Sequence, residues 1–148
     1  MIDLTNIGKE ITQLTSTHSS AGLVVAVYVF GSAVGFNFKE SSDIDLAFLV
    51  DEGHYKEDPF RTIGPAHKIA ATAGLMLRRE IDVVILNSAS LEMAYEIVTT
   101  GIPLFESDHE LRLQYEIKIK GMYFDFRPFL SELRERKLAK LGSLEVSG

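Results

Sequence analysis

The stretch LVVAVYVFGSAVGFNFKESSDIDLAFLV, Leu23 to Val50, decides how this chain folds. It begins with an unbroken apolar run, Leu23 to Phe30, rich in β-branched and aromatic residues. Such a run reads as a strand buried on both faces, because a half-exposed strand alternates apolar and polar residues. Gly31-Ser32 stops it. After a polar connection, Asp43-Ile44-Asp45 opens a second apolar run, Ile44 to Val50, entered through Ser41, Ser42 and Asp43. This is a second strand, with an acidic residue set inside it at Asp45.

Outward from this centre the pattern alternates. Ile7, Ile11 and Leu14 lie at i, i+4 and i+7, a helical stripe across Asp3 to Ser19. Asp51 to Pro59 is polar and reads as a loop. Phe60 to Arg79 is helical, with Pro65 in an early turn. Ile81 to Leu86 (IDVVIL) reads as a third buried strand. Leu91 to Thr100 is a short helix between Ser90 as N-cap and Gly101 as stop. Pro103 to Phe105 suits a short edge strand, and Asp108 to Leu141 suits helix, interrupted near Gly121 and Pro128. Gly142 to Gly148 reads as a frayed end. The expected fold is a small α/β (or α+β) domain: a short mixed central sheet flanked by helices, with a helical C-terminal third. One domain over 1–148 is expected, with a core at about 23–105 and a helical extension at about 108–141.

Composition excludes several classes of function. Fifteen Lys and Arg against 21 Asp and Glu leave a formal charge of −6, a poor match to a general nucleic-acid coat. The absence of cysteine removes disulfides, thiolate nucleophiles, Cys-type zinc sites and iron–sulfur clusters. No apolar run reaches the roughly 18 residues of a membrane span, and the N-terminus lacks an apolar signal core. A cytoplasmic protein without membrane attachment is expected.

The chemistry concentrates in Gly31 to Asp45. Residues i and i+2 of a strand share a face, so Asp43 and Asp45 project together, about 7 Å apart at Cα. Asp82 joins them if its strand lies alongside. Three converging carboxylates repel one another, and divalent cations such as Mg²⁺ relieve that repulsion through hard oxygen ligands shared with phosphates. Gly31 allows close backbone approach to a phosphate, and Ser32 offers a hydroxyl. Together they suit a metal-bound triphosphate, with two metals activating a nucleophile and stabilising leaving pyrophosphate. The bland alternative is a polar turn with Asp45 in solvent. A carboxylate within an apolar strand argues against it.

These residues resemble a known family. Gly31-Ser32, ten intervening residues, Asp43-Ile44-Asp45 and a later strand carboxylate, Asp82, are similar to the signature of nucleotidyltransferases related to DNA polymerase β. The short chain, the IDVVILN strand and the GIPLFES segment between helices resemble its minimal (MNT) branch, the MntA-like antitoxins of MNT/HEPN toxin–antitoxin modules. The resemblance implies a nucleotidyltransferase-like fold. It implies Gly31 and Ser32 as the triphosphate-binding pair, and Asp43, Asp45 and Asp82 as catalytic carboxylates and metal ligands. It implies Mg²⁺, two ions, and ATP as substrate, with AMP moved to a tyrosine of a HEPN-domain toxin partner. One departure stands out. The family often reads Gly-Ser-aromatic-Ala-Arg-Gly, whereas Ala33, Val34, Gly35 and Phe36 follow here. The arginine is missing, and Lys39 is a candidate nucleotide-binding substitute or an ordinary loop lysine.

Other residues carry blander readings. His18, His54, His67 and His109 lack metal-ligand spacing. Arg78 and Arg79 end a helix favourably, or reach a phosphate. Tyr115, Tyr123, Phe124, Phe126 and Phe129 suit a core, with a partner surface as the alternative. Arg134 to Lys140 reads as a solvated helix end. Two competing functions remain: a catalytically inert toxin-binding module, and nucleotidyl transfer to a small molecule such as an aminoglycoside. Stable nucleic-acid binding is not expected, and homo- or hetero-oligomers stay open.

Overall fold

The computed structural model describes residues 4–18, 22–35 and 43–146. Helix α1 (Leu4–His18) leads into strand β1 (Val24–Phe30), and a 3-10 turn, Gly31–Val34, follows. Strand β2 (Ile44–Val50) continues through helices α2 (Glu52–Glu57) and α3 (Pro59–Leu77) to strand β3 (Ile81–Ile85). A short 3-10 turn, helix α4 (Leu91–Thr100), strand β4 (Ile102–Glu106) and helix α5 (His109–Val146) complete the order.

The four strands form one mixed sheet in the order β3-β2-β1-β4. β1 runs antiparallel to β2 and β4, and β2 runs parallel to β3. A parallel pair needs a crossover, and α2 with α3 supplies it. Alternation of side chains then sorts the core. Val27, Val29, Leu46 and Phe48 pack with Ile7, Ile11, Ile69 and Ala73 of α1 and α3. Ala26, Tyr28, Ala47 and Leu49 pack on the opposite face with Ala94 and Ile97 of α4 and Ile119 of α5. β1 and β2 are apolar on both faces because both faces are covered.

Several expectations need correction. The segment expected to be a loop contains α2, because Asp51 accepts a hydrogen bond from the His54 N–H at its start and Lys56 pairs with Glu52 one turn away. Pro59 is the first residue of α3, which leaves Pro65 inside that helix. β3 is an edge strand, half-exposed rather than buried, since no strand pairs on its far side among the described residues. α5 is one continuous helix of 38 residues through Gly121 and Pro128. Phe124, Phe126 and Phe129 are exposed on it rather than part of the core.

α5 is fastened to the sheet by a buried network. The Tyr28 hydroxyl donates to Glu116 Oε1 at 2.6 Å, and Arg112 Nη1 donates to the same oxygen at 2.8 Å. Tyr123 stacks on Tyr95 of α4, centroids 3.7 Å apart. No helix among the described residues is long and apolar enough to cross a membrane.

Candidate active site

β1 and β2 carry the candidate residues to one end of the sheet. Phe30, the last residue of β1, pairs with Asp45 near the start of β2. Asp45 in turn pairs with Asp82 of β3 in the parallel register. Neighbouring strands lie only about 4.8 Å apart, so the two carboxylates are side by side. They point to the α4–α5 face, the face that Ala47 and Val84 also occupy two residues further on. Asp43 lies just outside β2 and is exposed.

The electrostatics follow from this crowding. Burial raises the Asp45 pKa above the usual carboxylate range, and the charges of Asp82 and then Asp43 raise it further. Each cause disfavours the ionised form. Among the described residues, no three acidic or histidine side chains are already arranged to hold a metal ion. The structure thus brings Asp45 and Asp82 into contact and leaves Asp43 within electrostatic reach.

Gly31 closes the other side. Its φ of +72° lies in the left-handed region, which glycine adopts without a Cβ penalty. A Cβ at this position would overlap Asp45 Oδ2. Two independent constraints, a backbone angle and a close approach, therefore require glycine here. Ser32 follows, exposed, with its carbonyl accepting the Gly35 N–H at 3.2 Å. Lys39 lies outside the described residues.

A well-formed cavity lies elsewhere. It measures about 450 Å³ and is lined by Leu49, Asp51, Leu86, Tyr115, Lys118 and Met122, among others. Asp51 is six residues along the chain from Asp45, roughly 20 Å at strand rise, so this cavity sits at the opposite end of β2 from the aspartates. Sequence reading missed it, because its lining comes from several elements distant in the chain. Burial pushes the Tyr115 phenol up to about 12 there, with Glu52 adding to the effect. A second cavity of about 380 Å³ between α3 and β3 is lined by His67, Gly74, Arg79 and Ile81. Arg78 caps α3 in the left-handed conformation, its N–H bonded to the Gly74 carbonyl, so its backbone ends the helix.

Residues 9–110 match the polymerase beta nucleotidyltransferase family. The chain belongs to that family. The match includes every candidate site residue, from Gly31 to Asp82. Solved structures share the fold. A toxin–antitoxin structure with AMP-PNP superimposes at a TM-score of 0.64 and 22% identity, over 88% of this chain and 98% of that one. A tri-AMPylated Shewanella oneidensis HEPN toxin in complex with MNT antitoxin gives 0.63 and 20%, over 92% and 99%. An MntA–HepT toxin–antitoxin gives 0.59 and 21%, over 90% and 97%. No curated protein matches the chain.

Proposed function

We propose that this nucleotidyltransferase moves AMP from ATP to a protein hydroxyl, a tyrosine of a HEPN-type toxin, and so acts as an antitoxin. The observation that carries the reading is the meeting of Gly31, Asp45 and Asp82 at one end of the sheet. The fold shared with complexes of AMPylated HEPN toxin and MNT antitoxin supports the acceptor class. On this reading residues 1–148 work as one domain in the cytoplasm.

The donor set fits a hard divalent cation. Asp45 and Asp82 are paired carboxylates, the Asp45 pKa being raised first by burial and then by the charges of Asp82 and Asp43, which adds a third oxygen donor. Asp43, Asp45 and Asp82 would hold Mg²⁺, which supplies neutralisation of phosphate charge when bound. The chain's own residues do the rest. Gly31 lets the backbone pass close against Asp45, and the exposed Ser32 would donate its hydroxyl to a phosphate. Lys39 is the candidate for the charge that the missing arginine would have supplied. In the reaction the tyrosine oxygen forms a bond to the α-phosphorus, the α–β anhydride bond breaks, and pyrophosphate leaves. The phenolic proton passes to a carboxylate of the cluster or to solvent.

The test is direct. Purified toxin incubated with this protein, ATP and Mg²⁺ should gain about 329 Da per AMP, the mass expected when pyrophosphate leaves. Asp43→Asn should give no gain. Unchanged mass, with Asp43→Asn still neutralising the toxin, establishes an inert binding module instead. The exposure of Asp43 gives that second reading its footing.

A further inference from the structure

The cavity at the far end of β2 from the aspartates has the build of a small-molecule site. Its volume of about 450 Å³ lies in the lower part of the range of roughly 300–1,000 Å³ typical of such sites, which suits a compact ligand. Its floor is apolar: Leu49, Leu86, Ala94 and Ile119 line it and are buried. Among the described residues that line it, the charged ones are Asp51, Glu52 and Lys118, and Glu52 and Lys118 are exposed. Charge therefore stands at the mouth and apolar surface inside. Gly31, Ser32, Asp43, Asp45 and Asp82 are not among its lining residues.

The charged groups are unequally engaged. Asp51 is committed: its Oδ2 accepts the His54 N–H at 3.0 Å and lies 2.6 Å from the His54 ring nitrogen. Glu52 is paired with Lys56 at 3.6 Å, and both are exposed, so the pair is weak. The charge of Glu52 is felt inside the cavity, where it adds to burial in raising the Tyr115 phenol. Lys118 makes no ion pair among the described residues. It is not a stray surface lysine, because Leu111, Tyr115, Lys118 and Met122 follow at steps of four, three and four and all border the cavity. The Tyr115 hydroxyl has one long bond, 3.4 Å to the Leu86 carbonyl.

The mouth thus offers an uncommitted cation from α5 and a weakly engaged anion from α2 above an apolar floor. A ligand with only an ammonium satisfies Glu52 and meets Lys118 as a like charge. A ligand with only a carboxylate does the reverse. A molecule with both charges and an apolar chain on one carbon matches all three features. We propose that this cavity binds a free α-amino acid with an apolar side chain, its carboxylate at Lys118, its ammonium at Glu52 and its side chain among Leu49, Leu86 and Ala94. The Tyr115 hydroxyl, kept neutral by burial, is a further donor to the carboxylate. This site goes beyond the transfer reaction proposed above and does not rest on it.

Titration of the full chain, followed by amide shifts in nuclear magnetic resonance, tests it without nucleotide, metal or toxin. At about pH 6.5 the α-amino group is protonated. L-leucine should bind, with shifts centred on Leu86 to Leu91 and on Tyr115 to Met122. Glycine lacks the apolar chain, leucinamide the carboxylate and N-acetyl-leucine the ammonium, and each should bind at least about tenfold more weakly. Lys118→Met should remove the preference for leucine over leucinamide and keep that over N-acetyl-leucine. Glu52→Gln should do the opposite. Both residues are exposed, and circular dichroism checks that the variants are folded. Ala89→Phe, which fills the cavity from its half-buried margin, should abolish leucine binding. Asp45→Asn should bind leucine as wild type, so failure of the transfer chemistry and failure of this site are read separately. No binding of leucine, methionine or phenylalanine overturns the proposal. So does equal or tighter binding of either singly charged compound, or a response centred on Gly31, Ser32 and Asp45.

Discussion

The α4–α5 face of the sheet ends in two different ways. At the Phe30 end, Asp45 is half-buried against Asp82, with its pKa pushed up by burial and like charge. Gly31 is held there in the left-handed region with no room for a Cβ. At the Val50 end, polar groups are matched. The Asn87 amide donates to the Val50 carbonyl and its oxygen accepts the Val50 N–H, both at 2.9 Å. Asp51 caps α2 through the His54 N–H. The same sheet, filled by the same kind of core, thus carries unrelieved charge at one end and satisfied hydrogen bonds at the other. Satisfied pairs hold a fold together. Crowded like charges beside a backbone that tolerates no side chain oppose it, and persist where a ligand supplies the compensation.

The sharpest way to break this contrast is Asp45→Asn. Transfer should fall by a factor of about 10³ or more, on the order of 4 kcal/mol of barrier. The fold should strengthen. A carboxyl whose folded pKa lies above its unfolded value costs stability as pH rises through that interval. Asparagine removes this cost, so in chelator at neutral pH the variant should melt above wild type, and the difference should vanish in acid. A variant melting below wild type at neutral pH would show that the two carboxylates do not crowd each other.

Gly31→Ala should act on both fold and chemistry. The left-handed backbone costs a non-glycine residue about 1–2 kcal/mol, and the overlap with Asp45 adds to it. Urea titration should show a loss of about 2–3 kcal/mol, accompanied by loss of transfer. Unchanged stability would mean that the turn relaxes away from Asp45. Tyr28→Phe tests the matched region. It removes one buried hydrogen bond to Glu116, which keeps its Arg112 partner, so the expected cost is about 1–2 kcal/mol with transfer unaffected. A larger loss, or an effect on the chemistry, would tie α5 to the active end.

The smallest effect belongs to Asp51→Ala, about 1 kcal/mol for a lost N-cap. The His54 backbone N–H, and then its imidazole, hold the Asp51 carboxyl below its usual range. The stabilisation is therefore complete above the unfolded value of about 3.9 and fades as pH falls through the lower folded value. Melting curves of wild type and variant should differ at pH 6 and begin to converge only below about pH 4. A gap that persists at low pH would assign the loss to backbone geometry rather than to the carboxylate.

Sequence alone determined the strands β1 and β2, the stripe of α1, the span of α4 with its Ser90 cap, and the Gly31-Ser32 and Asp43-Ile44-Asp45 pairs. These signals are local: a continuous apolar run, a period of three to four residues, a capping residue beside a helix start. Tertiary structure decided what depends on distant partners. α2 lay hidden in a polar segment because a cap and an ion pair stabilise it, without an apolar stripe. Apolar content could not show that β3 is an edge strand, since strand order is set by packing between remote segments. Phe124, Phe126 and Phe129 of α5 looked like core by composition and became surface because the sheet ends before the helix does. The pairing of Asp45 with Asp82 needed a parallel register across an intervening crossover, and no local pattern encodes that. The carboxylates could be named from the sequence, but only the register could place them side by side.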